Sequence, residues 1–260
     1  MIRENYRKLV CVMEFIPDTR NDIDSWKEVQ LVYSSALKEI GTKLEILNDE
    51  FQHVHQYNPI EHIKSRLKSP ESIVKKLKKH GYESTIQNMV KYVNDIAGIR
   101  VICSFTSDIY RIAEMLINQS DIKVISVKDY ILSPKPSGYK SYHLIVTVPI
   151  FLSDRIVDAK VEIQIRTVAM DFWASLEHKI HYKFEGKAPE HIKRELVECA
   201  MMVSDLDARM LSLNEEVQAL IAERSDKVDT YFASAAASDR EVDAEQEIKE
   251  EILSEVSGQF

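Results

Sequence analysis

Between residues 23 and 55, Trp26, Val29, Tyr33, Leu37, Ile40, Leu44 and Leu47 recur at three- and four-residue spacing, with polar and charged residues between them. One apolar stripe at that period predicts an amphipathic helix. A second helix start is written in Ser69-Pro70-Glu71-Ser72. Serine suits the N-cap and proline the first helical position, and Ile73, Val74 and Leu77 then point inward. The period changes at 98–105, GIRVICSF, where β-branched content predicts a strand, and residues 108–118 return to helix. Further strands are expected at about 122–130, 141–148 and 159–166, with Pro134-Lys-Pro-Ser-Gly138 as a loop before the second of these. Helical patterns fill 168–184 and 189–225. This order predicts an α+β fold with a single mixed sheet flanked by helices. The first and last helical regions carry apolar stripes that would also suit an oligomer interface. The expected organisation is an N-terminal extension over 1–22, a domain with its flanking helices over 23–225, and an acidic, flexible tail over 226–260.

Composition narrows the chemistry. Of 260 residues 45% are hydrophobic, which supplies one substantial core. The 6 glycines are about 2% of the chain against a usual ~7%. No G-x-x-x-x-G-K-[ST], G-x-G-x-x-G or G-x-S-x-G is present, so nucleotide phosphates would have to be held by side-chain cations and a metal. The 3 cysteines, Cys11, Cys103 and Cys199, are scattered and form no C-x-x-C, which argues against a disulfide framework or a zinc site. No apolar run approaches the roughly 18 residues of a membrane span, and Met1–Val12 lacks a signal-peptide core. A cytoplasmic protein with no membrane contact is expected.

The net charge of −8 hides an asymmetry. Lys64–His80 holds seven basic residues and one acid, whereas Ser238–Phe260 holds eight acids and two bases. A basic segment of this kind admits a nucleic-acid patch as the alternative reading, an RNA-binding regulatory protein using residues 64–80.

Candidate chemistry gathers in four places. In KVEIQIRT (160–167), Val161, Ile163 and Ile165 share one face, so Glu162, Gln164 and Arg166 share the other. A solvent-facing strand could carry the same pattern. Asp95 precedes the strand that holds Arg100, and two carboxylates, Asp95 and Glu162, among cations are what Mg²⁺ takes from a protein. Arg66 and Lys68 stand just before the helix on which Ser72 and Lys76 lie four apart, a polyphosphate cradle at a helix N-terminus or a solvated lysine face. Lys128, Lys135, Tyr139 and His143 surround one strand-to-strand turn, where Tyr139 after Gly138 is free to offer its ring to a base, or is simply buried.

Taken together, Arg66-Leu-Lys68-(x3)-Ser72-Ile-Val-Lys-Lys76, Asp95-Ile-Ala-Gly-Ile-Arg100, Lys128-Asp-Tyr…Lys135…Gly138-Tyr139…Ser141…His143, Glu162-Ile-Gln164-Ile-Arg166-Thr and Met170-Asp-Phe-Trp-Ala-Ser-Leu-Glu-His178 resemble the synthetase domain of the RelA/SpoT alarmone family. The resemblance spans roughly 55–185 and leaves no room for the hydrolase, TGS or regulatory domains of the long members. It implies a small stand-alone enzyme of the stringent response that transfers pyrophosphate from ATP to the 3′-hydroxyl of GDP or GTP. It further implies Arg66, Lys68, Ser72, Lys76 and Arg100 for ATP, and Lys128, Lys135, Tyr139, His143, Gln164 and Arg166 for the acceptor. Asp95 and Glu162 would be the catalytic, Mg²⁺-binding carboxylates, with Glu162 as general base. A homotetramer through the flanking helices is implied as well. Asn58-Pro-Ile-Glu61-His62-Ile-Lys64 lacks the phenylalanine and threonine of the product-activated branch, so no product activation is expected.

Overall fold

A computed structural model of the chain describes residues 13–14, 22–55, 57–184 and 188–257. Most of the expected extension over 1–22, including Cys11, lies outside the described residues. The elements in chain order are β1 (Met13–Glu14), α1 (Asp22–His53), β2 (Ile60–Leu67), α2 (Pro70–Lys79), α3 (Ile86–Tyr92), β3 (Ala97–Cys103), α4 (Thr106–Ile117), β4 (Lys123–Asp129), β5 (Tyr142–Phe151), β6 (Ile156–Thr167), α5 (Val168–Lys183) and α6 (Glu190–Ser257). They build one mixed sheet in the order β2-β3-β6-β5-β4, with β1 added parallel to β6. Only the β3–β6 pairing is parallel along that path. The expected fold class, α+β with a single mixed sheet, is what forms.

One face of the sheet is closed by helices. Val29, Tyr33, Ile40 and Leu44 of α1 are buried, and Val32 and Ala36 complete the stripe. They share a core with Ile73 and Leu77 of α2, Ile109, Ile112 and Leu116 of α4, and the inward residues of β3, β5 and β6. Val161, Ile163 and Ile165 of β6 are each fully buried there, as their alternation predicts. Burying a side chain of this size stabilises by ~1.5–3 kcal/mol. The opposite face carries Arg100, His143, Glu162, Gln164 and Arg166 beside the buried Ile102 and Ile145, an alternation that follows from period two.

The start of α2 forms as its sequence dictates. The Ser69 side chain accepts a hydrogen bond from the Ser72 amide, and Pro70 opens the helix. Four elements depart from expectation: β1 and α3 form where no element was expected, and β2 and α6 differ as well. Residues 60–67 form β2, an edge strand with mostly exposed side chains, whereas they carry too little apolar alternation to announce a strand. Helix α6 continues to Ser257, past the expected end at 225. The Ala-Ser-Ala-Ala-Ala-Ser run and its glutamates carry good helix propensity, which a reading based on charge alone undervalues. The chain divides after Arg209 into a body over residues 1–209 and a second unit, 210–260, whose described backbone is the remainder of α6.

Candidate active site

Strand register assembles the polar face. Lys64 of β2 pairs with Arg100 of β3, Arg100 with Gln164 of β6, Gln164 with His143 of β5, and His143 with Lys128 of β4. Paired residues project to the same side, so five residues remote in sequence stand in one row across the sheet. The next row holds Arg66, Gly98, Glu162 and Ile145. Between the side chains of these rows lies a cleft of about 310 Å³, lined by Lys64, Arg66, Asp95, Gly98, Arg100, Glu162 and Gln164 among others. Gly98 leaves its floor without a side chain.

Asp95 enters the cleft from the turn before β3. Its oxygens accept hydrogen bonds from Lys68 Nζ at 2.7 Å and Lys76 Nζ at 2.8 Å, one lysine from each side of the α2 N-cap. Burial by itself would push the Asp95 carboxyl up, but the two lysine bonds outweigh it and hold the group below the usual carboxylate range. Glu162 shows the same balance. Burial raises its proton affinity, while the hydrogen bond and charge of His143 and a bond from Gln164 more than offset that; the Asp95 charge works the other way. Asp95 and Glu162 thus face one cleft from the same side of the sheet and feel each other's charge.

The E-x-Q-x-R pattern becomes a hydrogen-bonded line. Gln164 Nε2 donates to Glu162 Oε2 at 2.8 Å, and Arg166 Nη2 donates to Gln164 Oε1 at 2.8 Å. His143 presents Nδ1 to Glu162 Oε1 at 3.5 Å and Nε2 to the Tyr139 hydroxyl at 2.9 Å. Arg166 also donates to that hydroxyl, and its guanidinium carbon sits 5.0 Å from the Tyr139 ring centroid. Tyr139 is therefore held at its hydroxyl, where the sequence left a free and a buried ring both open. Lys135 Nζ lies 4.5 Å from the same ring and 4.6 Å from that of Tyr130. Burial, with the nearby charges of Lys128 and Arg166, pulls the Lys135 pKa down against the opposing pull of Glu162 and Glu177.

Of the residues singled out in the sequence, Arg66, Asp95, Arg100, Glu162 and Gln164 line the cleft, and Lys68 and Lys76 meet at Asp95. Tyr139, His143, Lys135 and Arg166 form an adjoining cluster. Lys128 is exposed across the strand from His143, and the Ser72 hydroxyl bonds Ser69 beside the cleft. Sequence reasoning assigned no chemistry to Asp171, which bonds both Arg100 and Arg166, or to Ser141, which takes the Arg166 Nε bond at 3.2 Å. Nothing separates Asp171 in sequence from an ordinary first-turn acid. Trp173 was quoted only within its motif; its indole donates to Leu196 O of α6 at 3.0 Å and packs beside Tyr139.

Two lysines at a helix N-terminus, a carboxylate pair and an aromatic cluster thus share one open face of the sheet, an arrangement suited to polyanionic ligands. The family profile described as "Region found in RelA / SpoT proteins" matches residues 65–187. Over 200 residues, the chain is 48% identical to the GTP pyrophosphokinase YwaC of Bacillus subtilis, covering 77% of this chain and 95% of that one. It is 36% identical to the GTP pyrophosphokinase YjbM of the same organism, over 76% and 92% of the two chains. Among solved structures, small alarmone synthetase 2 from Bacillus subtilis superposes with a TM-score of 0.67, covering 74% of this chain and 98% of that one. Small alarmone synthetase 1 bound to its product pppGpp superposes with a TM-score of 0.70 at 36% identity, with the same coverage. The chain belongs to the RelA/SpoT family. The alternative reading of residues 64–80 as an RNA-binding patch finds no support among these relatives, and Lys68 and Lys76 turn inward to Asp95. Among the described residues, no helix is long and apolar enough to cross a membrane.

Proposed function

We propose that this protein synthesises (p)ppGpp by Mg²⁺-dependent transfer of pyrophosphate from ATP to the 3′-hydroxyl of GDP or GTP, releasing AMP, as a small cytoplasmic alarmone synthetase of the stringent response. The observation that carries it is the convergence of Asp95 and Glu162 on one cation-rimmed cleft. Arg66 and Arg100 flank the adenine, since flat guanidinium groups suit a flat base. Lys68, Ser72 and Lys76 take the triphosphate, so the two lysines exchange the Asp95 carboxylate for phosphate oxygens. Tyr139 stacks on guanine, and Lys128, Lys135, His143, Gln164 and Arg166 bind or orient the acceptor.

The donor set fits Mg²⁺. Two carboxylates share the cleft, and Mg²⁺ takes one or two protein carboxylates and fills its remaining positions with phosphates and water. Asp95 and Glu162 would hold the ion, which supplies neutralisation of the phosphate oxygens crowding the reaction. Glu162, kept ionised by His143 and Gln164, accepts the proton of the 3′-hydroxyl. Alignment of two bound substrates supplies on the order of 7–11 kcal/mol. General-base help of about 10²–10⁴-fold is the smaller share. Phosphoryl transfer asks a protein mainly for this positioning and charge neutralisation.

The test is chromatography of ATP and GDP incubated with the protein and Mg²⁺. AMP and guanosine tetraphosphate should appear in equal amounts; ATP left unconverted at every metal concentration would end the reading. Glu162→Gln should lower turnover by about 10²–10⁴-fold while metal-free ATP binding persists. Added product should leave the rate unaccelerated, in keeping with the Asn58–Lys64 sequence.

A further inference from the structure

One carboxylate outside the substrate contacts assigned above organises two of the site's arginines. Asp171 lies in the first turn of α5, with its side chain 18% exposed. Its Oδ1 accepts from Arg100 Nη1 at 3.0 Å and from Arg166 Nη1 at 3.2 Å. Arg166 is 4% exposed. Its other partners, Ser141 Oγ, Gln164 Oε1 and the Tyr139 hydroxyl, are all neutral. A buried cation needs a paired anion, and here that anion is shared. Arg100, half-buried on β3, has a second deficit: its Nε is buried and meets no acceptor among the described residues. Burial and the charge of Arg166 both work against its cationic form, with Asp171 opposing them.

The position of Asp171 follows from the chain path. Thr167 ends β6, and its hydroxyl accepts the Met170 amide, turning the chain directly into α5. The first turn of α5 therefore stands over the strand end that carries Arg166. From there one continuous set of contacts runs from Arg100 through Asp171 and Arg166 to Tyr139, then through His143 to Glu162.

We propose that Asp171 is a positioning residue that couples the donor and acceptor halves of the site, bridging the arginine that faces ATP to the arginine that holds Tyr139. This rests on the synthetase reading, which gives Arg100 to the adenine and Tyr139 to the guanine. Donor binding at Arg100 then reaches the acceptor platform through a carboxylate that touches neither nucleotide. Without its charge, two guanidinium groups that now share one oxygen repel each other, and both substrates lose an ordered partner.

The experiment varies ATP and GDP independently for the wild type and Asp171→Asn, with thermal unfolding of each as a control. The asparagine retains an accepting oxygen and loses the charge. Both KM values should rise about tenfold, with a smaller fall in kcat. A rise in one KM alone would mean direct contact with that substrate, and a lowered Tm with unchanged KM values would mean a purely structural role; either result overturns the coupling. A second measurement needs no variant. Calorimetric titration of wild type with a non-hydrolysable ATP analogue, with and without GDP, should show each tightening the other, and equal affinities in the two arms overturn the inference. If wild type forms AMP and guanosine tetraphosphate while these tests fail, only the coupling falls. If it forms neither, the synthetase reading falls first.

Discussion

Replacing Arg166 by alanine would leave the Tyr139 hydroxyl, the Gln164 amide oxygen and the Asp171 carboxylate around a hole, each deprived of a donor. Removing one partner of a buried ion pair destabilises by ~3–5 kcal/mol, several times the ~0–1 kcal/mol of an exposed pair. Urea unfolding of Arg166→Ala should show a loss in the larger range. Arg166→Lys should lie nearer to alanine than to wild type, because an ammonium cannot reproduce the planar fork that reaches four partners. A loss under ~1 kcal/mol in Arg166→Ala would mean that the network is dispensable. The sequence made half of this visible. Period two places Glu162, Gln164 and Arg166 on one face, and the hydrogen-bonded line between them follows from that placement. What alternation could not convey is that Arg166 spends most of its donors on groups outside its own strand, because Tyr139 and Ser141 come from the loop before β5 and Asp171 from the following helix. The tether of Tyr139 was hidden for the same reason: the glycine before it leaves a free or a buried ring open, while its hydroxyl is held by a buried arginine 27 positions away in sequence.

At the level of elements, the apolar-faced helices and central strands were legible because each buries a continuous stripe, while β2 was not. An edge strand that turns Lys64 and Arg66 toward a site has little apolar content to reveal its period. The loop proposed to bind the acceptor depends on α6 in a way only packing reveals. Gly138 has φ +87°, and a Cβ placed there would come within 2.5 Å of the Ala200 Cβ. Gly138→Ala is therefore strained twice, by backbone and by collision, and the loop must withdraw from α6. The expected result is a KM for GDP raised about tenfold with that for ATP unchanged; equal effects on both would separate the loop from acceptor binding. Helix α6 is latched further along by Asp207, buried and accepting from Thr167 Oγ1 at 2.7 Å. Burial raises the Asp207 pKa above its ordinary value despite the opposing bond from Thr167 and the charge of Lys140. The folded state thus holds its proton more tightly than the unfolded chain does. Stability is fullest below the unfolded carboxylate value and is lost as pH rises through the folded one. Asp207→Asn keeps an accepting oxygen without a charge. Its Tm should equal that of wild type in acid and exceed it at neutral pH, and a lower Tm at neutral pH would refute the assignment of burial as the dominant cause.

Over the whole molecule, the site's cations and the acidic C-terminal stretch lie far apart in sequence, and the apolar residues of α6 call for a partner. Met210, Leu213, Val217, Leu220 and Ile221 are 48–54% exposed at three- and four-residue intervals. Exposed apolar stripes of this kind mark association surfaces. The homotetramer that the family resemblance implies would cover this stripe, since symmetric assembly lets one patch serve every copy. The amphipathic period was readable in sequence, but a period cannot say whether its stripe faces the same chain or another. Two glutamates placed by Leu213→Glu and Val217→Glu would have to be desolvated on association, so light scattering should report a smaller assembly than the wild type's. Residues 238–260 follow the stripe in sequence and hold eight acids against two bases, so their removal should leave both mass per assembly and AMP formation unchanged. An unaltered assembly in the double glutamate variant would move the interface elsewhere. Loss of assembly on truncation alone would show that the acidic helix end, and not the stripe, holds the copies together.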